Sequence, residues 1–256
     1  RVAPFYTKTL SAICAGELGV MHPIYLQTKE YFLTKLLSDY SQSERTKLAC
    51  ELIKEQIIDQ RLKLHKWREL TFQPAQIDTG YIGQHLVSLV SGIPGGGFRG
   101  KGDDLADGSE VKSANFLDSK DAKGAVAPRW NFQCNDEEGM ESFLEYPFIF
   151  LVSVDISVDE NQRFRIWQVD PRKHADLNSR YHEWMDVLGR PKLNSTDRPG
   201  VNFQLFPPRN KTNDTYARHG NGRSNGFAKL QIELDSACGS AKIFHAEVID
   251  NKVILK

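Results

Sequence analysis

Between Gly92 and Gly102 the chain reads Gly-Ile-Pro-Gly-Gly-Gly-Phe-Arg-Gly-Lys-Gly, a run from which neither a helix nor a strand can be built. It separates two textures. Upstream, Ser43 to Glu69 is rich in Glu, Lys, Leu and Ile and contains no Gly or Pro. Leu48, Leu52, Ile57, Leu62 and Leu64 recur there at near-helical spacing, with Ser43 as the expected N-cap. Tyr25 to Tyr40 predicts a shorter helix, and Thr79 to Val90 predicts one that ends at the glycine run. Downstream, strands are expected at Gly108 to Ala114, Phe148 to Ile156 and Phe164 to Val169. Residues 171–226 are rich in Pro, Asn, Arg and Gly and read as loops around a short strand, Val201 to Phe206. The tail from Phe227 offers a helix and two strands. Helices leading into a mixed sheet imply an α/β fold with an N-terminal helical layer. Residues 1–75 are expected to form that layer, for packing or dimerisation, and residues 76–256 the core.

Length and charge narrow the classes. A chain of 256 residues can bury a sizeable core, and 40% hydrophobic with 26% charged residues is the balance of a globular protein. Lys plus Arg equals Asp plus Glu at 33 each, which excludes a histone-like polyanion binder but not one with basic residues gathered on one face. No apolar run approaches the roughly 18 residues of a membrane span, and Phe148 to Val154 is strand-sized. Cys14, Cys50, Cys134 and Cys238 lie far apart, so reduced thiols are expected rather than a disulfide framework or a local zinc site. The chain begins at Arg1 with no signal-peptide pattern, and the missing Met suggests a trimmed start. The expectation is a soluble protein of the cytoplasm.

The glycine run itself invites a phosphate-binding reading. Gly95 to Gly100 satisfies GxGxxG, and Gly95 to Lys101 satisfies the front of a P-loop. Context opposes both. A helix rather than a strand precedes the run, and Gly102 stands where Ser or Thr would hold magnesium. Asp103, Asp104 and Asp107 then follow, and they would repel a nucleotide, so no nucleotide cofactor is expected.

More informative is the segment Asp103-Asp104-Leu105-Ala106-Asp107-Gly108-Ser109-Glu110-Val111-Lys112. In a strand from Ser109 to Ala114, Glu110 and Lys112 share a face and Val111 points the other way into apolar packing. An aspartate across the turn can then approach Glu110, bringing two carboxylates and an ammonium to one end of the sheet. Two carboxylates and a backbone carbonyl, that of Val111, would give Mg²⁺ a hard oxygen shell with positions left for water and phosphate. Such an ion stabilises charge in phosphodiester hydrolysis, and Lys112 could position the attacking water or neutralise developing charge.

These residues, together with Thr79-Gly80-Tyr81-Ile82-Gly83-Gln84-His85-Leu86, Pro128-Arg129-Trp130-Asn131 and Asn202-Phe203-Gln204-Leu205-Phe206-Pro207-Pro208-Arg209, resemble the PD-(D/E)xK nuclease core. More narrowly, the chain resembles type II restriction endonucleases of the MamI-like kind over roughly residues 76 to 235. The resemblance implies a restriction-endonuclease-like core, a mixed central sheet flanked by helices, with double-stranded DNA as substrate and Mg²⁺ as cofactor. By position Glu110 and Lys112 become the E and K of the motif. Asp104 takes the place of its first aspartate, with Asp103 as the alternative and Asp107 too close in the turn; no Pro precedes either aspartate. Gln84 falls where such nucleases carry Glu or Gln on the helix lining the site.

DNA binding at zero net charge requires segregation. Residues 163–223 hold twelve Lys or Arg against six Asp or Glu, a charge of +6 that leaves the remainder near −6. Within them Arg209, Asn210, Lys211, Asn213, Arg218, Asn221 and Arg223 supply flexible donors, Arg suited to guanine and Asn to adenine. Trp130, Trp167 and Trp184 are expected in the core. The leading expectation is a Mg²⁺-dependent type II restriction endonuclease acting as a homodimer on palindromic sites. A repair or nicking nuclease of the same fold, or an inactive DNA-binding module, are the alternatives.

Overall fold

The structure, a computed structural model, describes residues 35–96, 104–116, 128–156, 162–195, 200–208, 215–219 and 230–256. These lie almost wholly in one compact unit, Leu37–Lys256. The helix expected at Tyr25 to Tyr40 falls mainly outside the described residues, and its last part is a 3-10 turn, Leu37–Asp39.

The first long helix opens two residues earlier than expected. Ser41, not Ser43, is the N-cap: its hydroxyl accepts from the Glu44 amide while the Glu44 carboxylate returns to the Ser41 amide. Helix α1 (Gln42–Ile53) passes through π-helical turns at Lys54–Asp59 into α2 (Gln60–Thr71). The wider π turns shift the phase of the buried stripe. Ala49, Ile53, Ile57, Ile58 and Arg61 are buried and Leu52 packs against this core, so the stripe read from the sequence holds at Leu52 and Ile57 and fails at Leu62, which is 54% exposed. Helix α3 (Gly80–Ser91) follows, closed by Gly92 in the left-handed conformation (φ 80°).

Two sheets follow. The first has the order β1-β3-β4-β8-β9, built from β1 (Glu110–Phe116), β3 (Ile149–Asp155), β4 (Arg163–Val169), β8 (Ser240–Ile249) and β9 (Lys252–Leu255). β1 and β3 run parallel, Glu110 opposite Ile149, and the other neighbours are antiparallel, so the sheet is mixed. The second sheet, order β2-β5-β6-β7, is antiparallel: β2 (Trp130–Cys134), β5 (Val201–Phe206), β6 (Tyr216–His219) and β7 (Leu230–Glu233). The strands expected at Phe148 to Ile156, Phe164 to Val169 and Val201 to Phe206 are present within a residue at each end, and β1 is shifted by two. The tail forms strands, with no helix among its described residues.

The expected loop region 171–226 is corrected. It contains α4-following helices: after the short α4 (Glu137–Glu141), α5 (Ala175–Trp184) runs through π turns at Met185–Gly189 into α6 (Arg190–Ser195). Leu177, Tyr181 and Trp184 give α5 a buried face, and the His174 ring accepts from the Leu177 amide as its cap. Strong polar composition on the exposed face hid this period.

Two cores sandwich the mixed sheet. On one face Val111, Phe150, Val152, Phe164, Ile166 and Phe244 pack with Ala49, Ile53, Ile57, Leu86 and Val87 of the helices. On the other, Ile149, Leu151, Trp167 and Val169 pack with Trp130, Phe132, Phe203 and Leu205 of the second sheet and with α5. Trp130, Trp167 and Trp184 are buried as expected. β3, buried at every residue, accounts for the uninterrupted apolar run at Phe148 to Ile156.

α3 approaches β1 at Gly83, where a Cβ would stand 1.9 Å from Ser113 Oγ. Gly83→Ala should therefore cost about 1–3 kcal/mol of stability by overpacking. Adding Ser113→Ala should restore part of it, because the nearest atom then is the residue-113 Cβ at 3.2 Å. Strictly additive losses in urea titrations of the double variant would show that the two positions do not touch.

His219, on β6, is buried and accepts at Nδ1 from Arg180 Nε (2.8 Å). Burial first, then the Arg180 guanidinium, push its pKa down to about 3. An unfolded histidine titrates near 6.5, so from about pH 6.5 downward the unfolded chain gains a proton that the fold refuses. Stability should be fully present above about pH 6.5 and fall below it, with a slope contribution of about 1.4 kcal/mol per pH unit. In denaturant titrations between pH 6.5 and 5, His219→Phe should be less stable overall but visibly flatter with pH; an unchanged slope would mean that the ring takes up protons in the folded state.

Candidate active site

The turn before β1 sets the site. Gly108 takes a positive φ of 85°, and Asp107 closes the turn by accepting from the Ser109 amide and hydroxyl, each at 3.0 Å. Both Asp107 carboxylate oxygens are thus occupied within the turn. Leu105, fully buried, anchors the segment into the helical-side core. An isolated bridge pairs Gly95 with Leu105, and the Gly96 amide donates to the Asp104 carbonyl at 3.2 Å. The described end of the glycine run therefore serves as a crossing strut for the acidic turn. The rest of it, including Asp103, lies outside the described residues.

β1 is an edge strand. Its Glu110 amide donates to Phe148 O of the neighbouring chain segment (3.0 Å), so the peptide groups of Val111 address the open side. There the Val111 amide donates to Asp104 Oδ2 at 2.9 Å. Asp104 Oδ1 accepts from Gln84 Nε2 of α3 at 2.5 Å. Both carboxylate oxygens are thus fixed, one by the strand and one by the helix that Gly83 brings close.

Glu110 and Lys112 share the opposite face from Val111, and the Lys112 ammonium is hydrogen-bonded to Glu110 Oε1. Glu110 is 7% exposed. The Lys112 ammonium also lies 5.6 Å from the centre of the Phe132 ring on β2. Val111 is buried in the core as expected. A cavity of about 310 Å³ opens beside the strand, lined by Asp78, Gly80, Tyr81, Gln84, Asp104, Val111, Lys112 and Ser113. Glu110 reaches the site from the sheet face rather than from the cavity wall, through its bond to Lys112.

Gln84, Asp104, Val111, Lys112 and Glu110 are therefore brought together from segments up to 28 positions apart in the chain. Asp78 and Tyr81 were not foreseen. Asp78 accepts from the Gly80 amide (2.9 Å) at the start of α3, and its position just before a helix with Gln84 was the available signal. Of the expected DNA-contacting residues, Arg209, Asn210, Lys211, Asn213, Asn221 and Arg223 lie outside the described residues. Arg218 is on β6, where its Nη2 donates to Pro207 O at 3.3 Å.

The donor set suits a hard divalent cation: two carboxylates and the carbonyl of Val111, all oxygen. Among the described residues no group of three or more His, Cys, Asp or Glu is placed to hold a metal ion.

A family model described as MamI restriction endonuclease matches residues 66–246, which include every residue of this site. Over 192 residues the chain is 38% identical to the type II restriction enzyme MamI of Microbacterium ammoniaphilum, covering 68% of this chain and 58% of that relative. The chain thus spans less than two thirds of the relative's length. No solved structure matches. With the acidic turn, the E-x-K strand and the glutamine helix all inside the matched region, the chain belongs to the MamI restriction endonuclease family.

Proposed function

We propose that this protein is a Mg²⁺-dependent, site-specific endonuclease that hydrolyses phosphodiester bonds in double-stranded DNA, acting as a homodimer in the cytoplasm. Family membership supports the reaction class. The observation that carries the assignment of the site is the docking of Asp104 on the Val111 amide, beside the Glu110–Lys112 pair.

Asp104, Glu110 and the Val111 carbonyl would hold the ion, with Asp103 as the alternative carboxylate. When bound, Mg²⁺ would neutralise charge on the scissile phosphate and lower the pKa of water. The protein's own groups do the rest. Lys112 has three donors, of which Glu110 takes one, leaving donors for a phosphate oxygen or an attacking water. Its position over Phe132 confines the ammonium to the mouth of the site. Gln84, with its amide committed to Asp104, keeps a carbonyl oxygen that can accept from and orient a water. The Asp104 carboxylate, tied by both oxygens, needs no reorganisation to meet a cation.

No helix among the described residues is long and apolar enough to cross a membrane. Dimerisation is proposed because palindromic sites match two-fold symmetry. Exposed Trp67, Leu70 and Phe72 of the α2 end support a packing or dimerisation role for the N-terminal region.

Plasmid digestion tests the reading: discrete fragments with Mg²⁺ and none with chelator are expected, whereas nicked circles would indicate a single-strand nuclease, and no cutting an inactive binder. Glu110→Ala and Lys112→Ala should each lower the cleavage rate by about 100-fold or more while leaving DNA binding near wild type, read by mobility shift. Asp104→Ala should do the same. Near-normal cutting by either of the first two variants would show that the chemistry is elsewhere. An inactive Asp103→Ala beside an active Asp104→Ala would transfer the metal-binding role to Asp103.

A further inference from the structure

The second sheet has an inward and an outward face. Trp130, Phe132, Val201, Phe203, Leu205, Ala217 and Ile232 point into the core. The alternate positions point outward: Asn131 and Gln133 on β2, Asn202 and Gln204 on β5, Arg218 on β6 and Gln231 on β7. The solvated face of an antiparallel sheet is polar, and Asn is disfavoured in strands. Here every outward position of β2 and the first two of β5 are carboxamides, and the two asparagines, Asn131 and Asn202, stand against local propensity. Such a conflict between propensity and position is expected where a surface serves function.

The amides are also ordered. In register, Asn131 lies opposite Gln204 and Gln133 opposite Asn202. Asn131 Nδ2 donates to Asn202 Oδ1 (3.1 Å), and Gln204 Nε2 donates to Asn131 Oδ1 (3.0 Å). This network holds the side chains in place yet leaves the Asn202 amide and the Gln204 carbonyl with capacity for a further partner. Glu233, the carboxylate on this face among the described residues, is turned to Thr215 Oγ1 (2.8 Å) and the Asp235 amide (2.9 Å). The face therefore presents amides flanked by the cations Arg129, which is exposed, and Arg218.

We propose that the outward face of the β2–β5 ribbon, Asn131, Gln133, Asn202 and Gln204, reads base edges in the major groove of duplex DNA, with a preference for adenine. The proposal rests on the reading of the protein as a DNA endonuclease. Although β5 also neighbours β6, the two pair at Leu205 and Phe206, so at Asn202 and Gln204 the β2–β5 pair stands as a two-stranded ribbon. Such a ribbon fits the major groove, and a carboxamide matches the adjacent donor and acceptor of adenine. Outward neighbours on one strand are about 6.8 Å apart, close to two base steps of about 3.4 Å. The ribbon also adjoins the chemistry: Phe132, between Asn131 and Gln133, carries the Lys112 ammonium against its inner side. Neutral amides carry no net charge and release no counterions, so base-edge contacts from them would act on sequence choice more than on salt-dependent affinity.

The test is selection from a random duplex library by the full chain in chelator-containing buffer, followed by titration of the selected duplex and a scrambled one. Gln133→Ala and Asn202→Ala should each relax the selected sequence at particular positions. The ratio of selected to scrambled affinity should fall by roughly 10- to 100-fold, with scrambled-duplex affinity and its salt slope unchanged. A ratio unchanged in both variants, while the wild type still selects a sequence, would overturn the proposal and leave the endonuclease reading standing. Equal weakening on both duplexes would also overturn it, by showing a contact to the backbone. Failure of the wild type to bind either duplex would overturn both readings together. Circular dichroism and thermal unfolding of each variant separate lost recognition from lost fold.

Discussion

A single hydrogen bond organises the candidate site: the amide of Val111, on the open edge of the mixed sheet, held by Asp104 Oδ2. An edge strand leaves alternate peptide groups without a ladder partner, and those groups need another. In this protein the partner is a carboxylate from the turn that precedes the strand. The same contact satisfies the edge and stations an acidic group beside the E-x-K strand, so the proposed chemical role and the completion of the edge would share one interaction.

Everything around that bond keeps it in place. Buried Leu105 pins the acidic turn, Asp107 closes it, and the Gly95 bridge braces it from the glycine run. α3 meets β1 through Gly83 and Ser113 at a distance that excludes a Cβ, and the next residue, Gln84, takes the second Asp104 oxygen. The hydrophobic interior on both faces of β3 makes this frame rigid, and a rigid frame is what allows two carboxylates and an ammonium to be held without collapse.

The second sheet ties its own surface to that frame. Trp130 Nε1 donates to Val152 O of the mixed sheet at 2.9 Å. Arg165, buried and lying over Trp167, reaches Pro208 O at the end of β5 (3.0 Å). Arg218 reaches the neighbouring Pro207 O. Two arginines from different sheets thus grip the backbone from which the Arg209–Asn213 segment departs. The proposed recognition surface and the candidate site are thus joined through packed aromatic rings and buried hydrogen bonds.

The sequence by itself determined the chemistry-bearing strand and its alternation, because period two places Glu110 and Lys112 together whatever the rest of the chain does. It also determined the central apolar strand and the tryptophan core, since long apolar runs and large rings have few places to go. It misplaced the stripe beyond the π turns, where Leu62 is exposed although Leu52 and Ile57 pack, and it missed α5 under polar residues on the exposed face. That Asp104 binds the Val111 amide, that Gln84 binds Asp104, and that Asp78 and Tyr81 line the same cavity were decided by tertiary structure alone. Those contacts join segments distant in the chain, and their partners are backbone groups and helix faces that no local pattern of residue types specifies.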